Sequence, residues 1–66
     1  MDARLTPHER EVLIVAANGR GYREVGQALG ITEHTVKNEV SAVLQRIGAA
    51  NLIEAYWRLG WLRPDR

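Results

Sequence analysis

Cysteine is absent from the 66 residues, so neither a disulfide framework nor a thiolate metal site is available. Histidine is scarce, and His8 and His34 stand too far apart to form a zinc motif by themselves. The longest apolar runs, such as Val12 to Ala17, fall well short of the roughly 20 residues that span a bilayer. Met1-Asp2-Ala3-Arg4 lacks a charged-then-apolar leader, so no export signal is expected and the chain reads as soluble and intracellular. An excess of one charge is also missing. Nine Arg and Lys face eight Asp and Glu, and the net +1 neither announces a nucleic-acid binder nor excludes one. Catalytic groups are thin: Ser41 is the lone serine and no His lies within one helical turn of it in sequence to activate it. Gly19-Arg20-Gly21 lacks the Gly-Lys-Ser/Thr ending of a phosphate loop. No enzyme, metal or cofactor is expected. The length allows one small domain over 1–66, which buries only about 60% of its unfolded surface and is therefore thinly stable.

What is present divides at glycines into four helical segments. Thr6-Pro7-His8-Glu9 is a capping box with Pro at the first helical position. Val12, Leu13, Ala16 and Ala17 follow at helical spacing, and Asn18-Gly19 supplies the stop, which predicts a helix over about 7–18. The second helix is short, about 22–29, with Val25, Ala28 and Leu29 on one face. Gly26 in its middle either weakens the helix or admits another helix at close range. Thr32 caps the third helix, about 33–47, with Glu33 near its positive end. Val36, Val40, Val43, Leu44 and Ile47 form its apolar stripe, and His34, Thr35, Lys37, Asn38, Ser41 and Gln45 face the other way. Asn51 and Glu54 repeat the capping logic for a helix over about 52–59, stopped by Gly60 and followed by a tail over 60–66. No segment alternates like a strand, so the fold expected is all-α, a four-helix bundle.

Leu29-Gly30-Ile31-Thr32 is a short turn between a short helix and a longer one with a polar outer face. That describes a helix-turn-helix, in which the second helix enters the major groove; an ordinary helical hairpin is the competing reading. Leu5-Thr6-Pro7-His8-Glu9-Arg10-Glu11-Val12-Leu13 resembles the opening motif of the LuxR-type (GerE-like) DNA-binding domain. Glu24-Val25, Leu29 to Asn38, Ile47-Gly48 and Asn51 with Glu54-Ala55 are similar to the rest of that pattern, in order, over about 5–56. The resemblance implies a bacterial, nucleoid-associated cytoplasmic transcriptional regulator whose third helix reads double-stranded DNA and whose fourth mediates a homodimer. Lys37 and Asn38 match the base-contacting positions, and His34 and Ser41 match positions that touch bases or phosphates. Lys suits guanine O6 or N7 and Asn suits adenine N6 and N7. Thr35, Thr32, Arg23 and Tyr22 are the candidates for phosphate contacts.

Departures from the pattern are as informative. His8 replaces the usual Arg of the opening motif, and Glu39 stands where His is common. That carboxylate either opposes a nearby phosphate or tethers a basic side chain. Gly21-Tyr22 replaces a more usual Ser-Asn pair, Leu52 replaces a common Arg, and the Gly21 to Val25 stretch also resembles region four of bacterial sigma factors. Leu52, Ile53, Ala55, Tyr56, Trp57, Leu59, Trp61 and Leu62 exceed what one face of a terminal helix buries. Leu52, Ile53, Tyr56 and Trp57 are therefore the candidate dimer or partner surface, unless both Trp residues wrap back over the core. The alternative function is a protein-binding module that keeps the fold but acts on RNA polymerase or another regulator. LuxR-type regulators usually carry a sensor domain ahead of this module, so the chain is expected to be either an excised output domain or a short stand-alone regulator.

Overall fold

A computed structural model describes residues 5–19 and 21–62; residues 1–4, Arg20 and residues 63–66 of the expected tail lie outside this range. Four α-helices follow one another: α1 (Pro7–Ala16), α2 (Tyr22–Leu29), α3 (Glu33–Ile47) and α4 (Leu52–Arg58). Among the described residues there is no strand. The all-α expectation holds, with each boundary within two residues.

The helix starts are set by local side chains. Thr6 Oγ1 accepts from the Glu9 amide at 3.1 Å while the Glu9 carboxylate accepts from the Thr6 amide at 3.0 Å, the capping box foreseen. Thr32 accepts from the Thr35 amide at 3.1 Å and Asn51 from the Glu54 amide at 2.8 Å. For α2 only the return bond forms, from the Gly21 amide to Glu24 at 3.3 Å, because Gly21 has no side chain to offer. Helix α1 stops at Ala16, earlier than expected, because the last amides switch register: Asn18 and Gly19 donate to Val15 and Ala16, three residues back.

Helix α3 packs against each of the other three helices and is the hub of the fold. Its N-terminal half sends Val36 and Val40 into a cluster with Val12, Ala16 and Val25. Its C-terminal half sends Val43 and Ile47 into a second cluster with Leu5, Leu13, Ala55 and Tyr56. The half-buried Leu44 and Leu52 pack against both. Two expected core residues lie outside: Ala17 and Ala28 are exposed. On α2 the buried stripe is instead Tyr22, Val25, Gly26 and Leu29, the i, i+3, i+4, i+7 set, and Ala28 falls beyond its edge.

Gly26 does admit a close approach, although what approaches is the turn and not a further helix. A Cβ at Gly26 would lie 2.6 Å from the Ile31 carbonyl oxygen and 3.2 Å from the Thr32 carbonyl carbon. The turn doubles back on this spot because Gly30 adopts φ +74°, a left-handed conformation that costs glycine nothing. The amides of Gly30 and Ile31 then both donate to the Gly26 carbonyl oxygen.

Candidate nucleic-acid interface

Helix α3 presents its outward strip because its inward stripe is committed. Val36, Val40, Val43 and Ile47 are buried, and at 100° per residue the opposite side carries residues 34, 37, 38 and 41. His34, Lys37, Asn38 and Ser41 are all exposed. Their i, i+3, i+4, i+7 spacing makes one strip about 10 Å long, a length that suits a major groove of comparable width. Lys37 supplies the strip's full positive charge, Asn38 a bidentate amide, and His34 and Ser41 shorter donors or acceptors.

The four phosphate candidates lie at two helix starts. Tyr22 and Arg23 occupy the first turn of α2; Arg23 is exposed, whereas the Tyr22 ring is half-buried against the Val12 and Val25 cluster. Thr32 caps α3 and Thr35 stands in its first turn, their hydroxyl oxygens 2.9 Å apart. The two hydroxyls thus already serve the helix start as well as facing solvent.

The partner-surface candidates separate. Ile53 is 61% exposed and Trp57 is 52% exposed, one turn apart on the outer face of α4. Leu52 is half-buried between the two core clusters. Tyr56 corrects the expectation outright: it is 6% exposed, and its hydroxyl donates to the Leu13 carbonyl oxygen at 3.0 Å. A buried phenol needs such an acceptor, and the carbonyls of α1 supply one. Trp61 does wrap back, stacking on the Tyr56 ring with centroids 5.7 Å apart, while Trp57 does not. The fold achieves this at Gly60, φ +78°, after which the Trp61 amide donates to the Tyr56 carbonyl oxygen.

Two long-range polar pairs escaped sequence reasoning. Arg46 grips Glu9 through two bonds of 2.6 and 2.8 Å, so the carboxylate that closes the α1 capping box also ties α1 to the C-terminal end of α3. The Arg46 guanidinium, followed by the Thr6 amide, holds the Glu9 carboxyl down at about 2. No local signal marks this pair. The second pair, His8 with Glu39 at 2.8 Å, joins two residues that both depart from the LuxR-type pattern, and that coincidence was its one available sign. Of the two readings of Glu39, the tether is the one realised.

Among the described residues no group of His, Cys, Asp and Glu is placed to hold a metal ion, and no helix is long and apolar enough to cross a membrane.

The chain is similar to several bacterial regulators. The transcriptional regulatory protein DesR of Bacillus subtilis is 39% identical over 62 residues, covering 89% of this chain and 31% of that protein. The transcriptional activator protein BjaR1 of Bradyrhizobium diazoefficiens is 38% identical over 52 residues, 79% of this chain and 22% of its own length. The transcriptional activator protein SolR of Ralstonia nicotianae is 43% identical over 53 residues, 80% of this chain and 22% of that protein. The chain thus spans a third or less of the length of these relatives. No solved structure matches it. The family model for bacterial regulatory proteins, luxR family, matches residues 3–59, nearly the whole chain. With the turn, the capped third helix and its outward polar strip in place, the chain belongs to the luxR family of bacterial regulatory proteins, a family of DNA-binding transcription regulators.

Proposed function

We infer that this chain is one sequence-reading domain that binds double-stranded DNA at the bacterial nucleoid, with α3 in the major groove. The observation that carries the reading is the exposed strip His34, Lys37, Asn38 and Ser41, set directly after the tight turn at Gly26 and Gly30. Lys37 and Asn38 read base edges, with His34 and Ser41 beside them; Arg23, Tyr22, Thr32 and Thr35 position the backbone. Two chains pair through Ile53 and Trp57 on α4, which places two reading strips about one helical turn of DNA apart. Tyr56 takes no part in that surface.

The alternative, a module acting on RNA polymerase or another regulator, rests on Glu39, on Leu52 and on the weak net positive charge of +1. Glu39 and Leu52 have other roles, since Glu39 is held by His8 and Leu52 packs against both clusters. Selection from a pool of random duplexes tests the reading. An enriched sequence is expected, with binding reduced at least tenfold by Lys37→Ala, the loss of one good base contact. No enrichment, with residual binding indifferent to Lys37→Ala, overturns direct readout in favour of the protein-binding module. For the dimer, sedimentation of the parent beside Trp57→Ala is decisive. A parent that stays monomeric at high concentration, with and without DNA, refutes it.

A further inference from the structure

His8 and Glu39 are 31 positions apart in sequence, yet the imidazole Nε2–H donates to the Glu39 carboxylate at 2.8 Å. The ionised carboxylate has no proton to give, so the ring is the donor. Among the described residues His8 is the partner of Glu39. Neither side chain is driven there by burial, since His8 keeps 48% and Glu39 29% of its side-chain surface exposed. The pair is therefore a polar clasp across the α1–α3 seam and not a by-product of core formation.

The place of Glu39 on α3 gives the clasp its meaning. At 100° per residue Glu39 lies about 100° around the helix from Asn38, on the flank between the reading strip and the buried stripe. The flank of a helix seated in a groove faces the sugar–phosphate wall, where a free carboxylate sets a negative charge against phosphates. Thr35 and Val43, one turn to either side, have no charge to hold it, and Arg46 further along the same flank is gripped by Glu9. His8 reaches in from α1 and draws the carboxylate back towards its own helix.

We propose that His8 is a positioning residue for DNA binding, which acts by clasping Glu39 against α1 and keeping its charge away from the phosphate wall. This rests on the DNA-reading function above and adds to it a residue that touches no DNA. It also explains how the domain carries an acid on its recognition helix without losing its ligand. An acid at 39 is tolerable when a hydrogen-bond donor stands at 8.

The test is a double-mutant cycle read as affinity for the duplex enriched by the parent, with thermal unfolding followed alongside. His8→Ala is expected to weaken binding roughly twofold to fivefold in low salt, the scale of one surface charge, and the loss shrinks as salt rises. Glu39→Gln alone changes affinity less than twofold, but in the His8→Ala background it restores the parent value. His8→Arg, which keeps a donor, also binds as the parent does. A His8→Ala loss that Glu39→Gln does not return overturns the clasp while leaving DNA reading intact. A melting temperature that falls in step with affinity, through the whole set, assigns the pair to stability alone and likewise overturns the proposal. A parent that enriches no duplex overturns the reading and the clasp together.

Discussion

The Tyr56 hydroxyl donates to the Leu13 carbonyl oxygen at 3.0 Å, joining α4 to α1 across 43 positions of sequence. Leu13 keeps a second bond at the same oxygen, from the Ala17 amide at 2.9 Å. Tyr56→Phe therefore removes one bond without orphaning a carbonyl, and should cost about 1 kcal/mol in a urea titration. Burial, and then Tyr22, push the Tyr56 phenol above its ordinary value. A raised folded-state value means that the protonated form is favoured by folding. The contribution is complete below about pH 10, where the unfolded phenol titrates, and is lost as pH rises through the folded value. The parent should thus lose stability at alkaline pH faster than Tyr56→Phe does. Equal alkaline limbs would place the phenol in solvent.

Glu9 sets the behaviour in acid. Its carboxyl is held at about 2, against an ordinary value of 4.5, first by Arg46 and then by the Thr6 amide. A lowered folded-state value favours the ionised form, so the contribution is complete above pH 4.5 and disappears as pH falls towards 2. Glu9→Gln should melt below the parent at pH 7, and the two curves should converge near pH 2. Persistence of the full difference at pH 2 would contradict the assignment.

Gly26→Ala sets two effects against each other. Helix propensity favours alanine by about 1 kcal/mol. The new Cβ, however, meets backbone at 2.6 Å on Ile31 and 3.3 Å on the Glu33 amide nitrogen, atoms that cannot swing aside as a side-chain tip does. Overpacking of this kind costs about 1–3 kcal/mol, and it wins. Denaturant titration should find the variant less stable, and amide exchange should locate the loosening at Gly30 to Glu33. A variant more stable than the parent would mean the turn yields freely.

The two tryptophans should separate in fluorescence. Trp57 is 52% exposed, whereas Trp61 is half-buried and stacked on Tyr56. Trp57→Phe should leave a bluer emission that acrylamide quenches less than that of Trp61→Phe. The reverse order would move Trp61 off the core.

What could be read before any coordinates followed the range of the interactions. Helix starts rest on residues three apart, so Thr6 with Glu9, Thr32 with Thr35 and Asn51 with Glu54 were legible. The exposed polar strip of α3 was legible for the same reason, being the reverse side of the valine stripe on one helix. Arg46 with Glu9 depends on how two helices sit against each other, and no spacing encodes that. Tyr56 was misjudged because the apolar excess of α4 and its tail pointed to a partner surface without showing which side chains form it, whereas a single residue step, about 100° around α4, separates Tyr56 facing Leu13 from Trp57 facing solvent. Ala17 and Ala28 were misjudged because a methyl group at the edge of a stripe carries too little area to decide its side.

The division of the interior has a consequence for how such a domain can diversify. Val12, Ala16, Val25, Val36 and Val40 support the turn and the first half of α3, while Leu5, Leu13, Val43, Ile47, Ala55 and Tyr56 support α4. Substitutions that reshape one chamber are felt in the other chiefly through Leu44 and Leu52. On the function proposed above, the polar strip of α3 and the outer face of α4 therefore rest on separate sets of residues that can be exchanged independently, with two leucines as the joint between them.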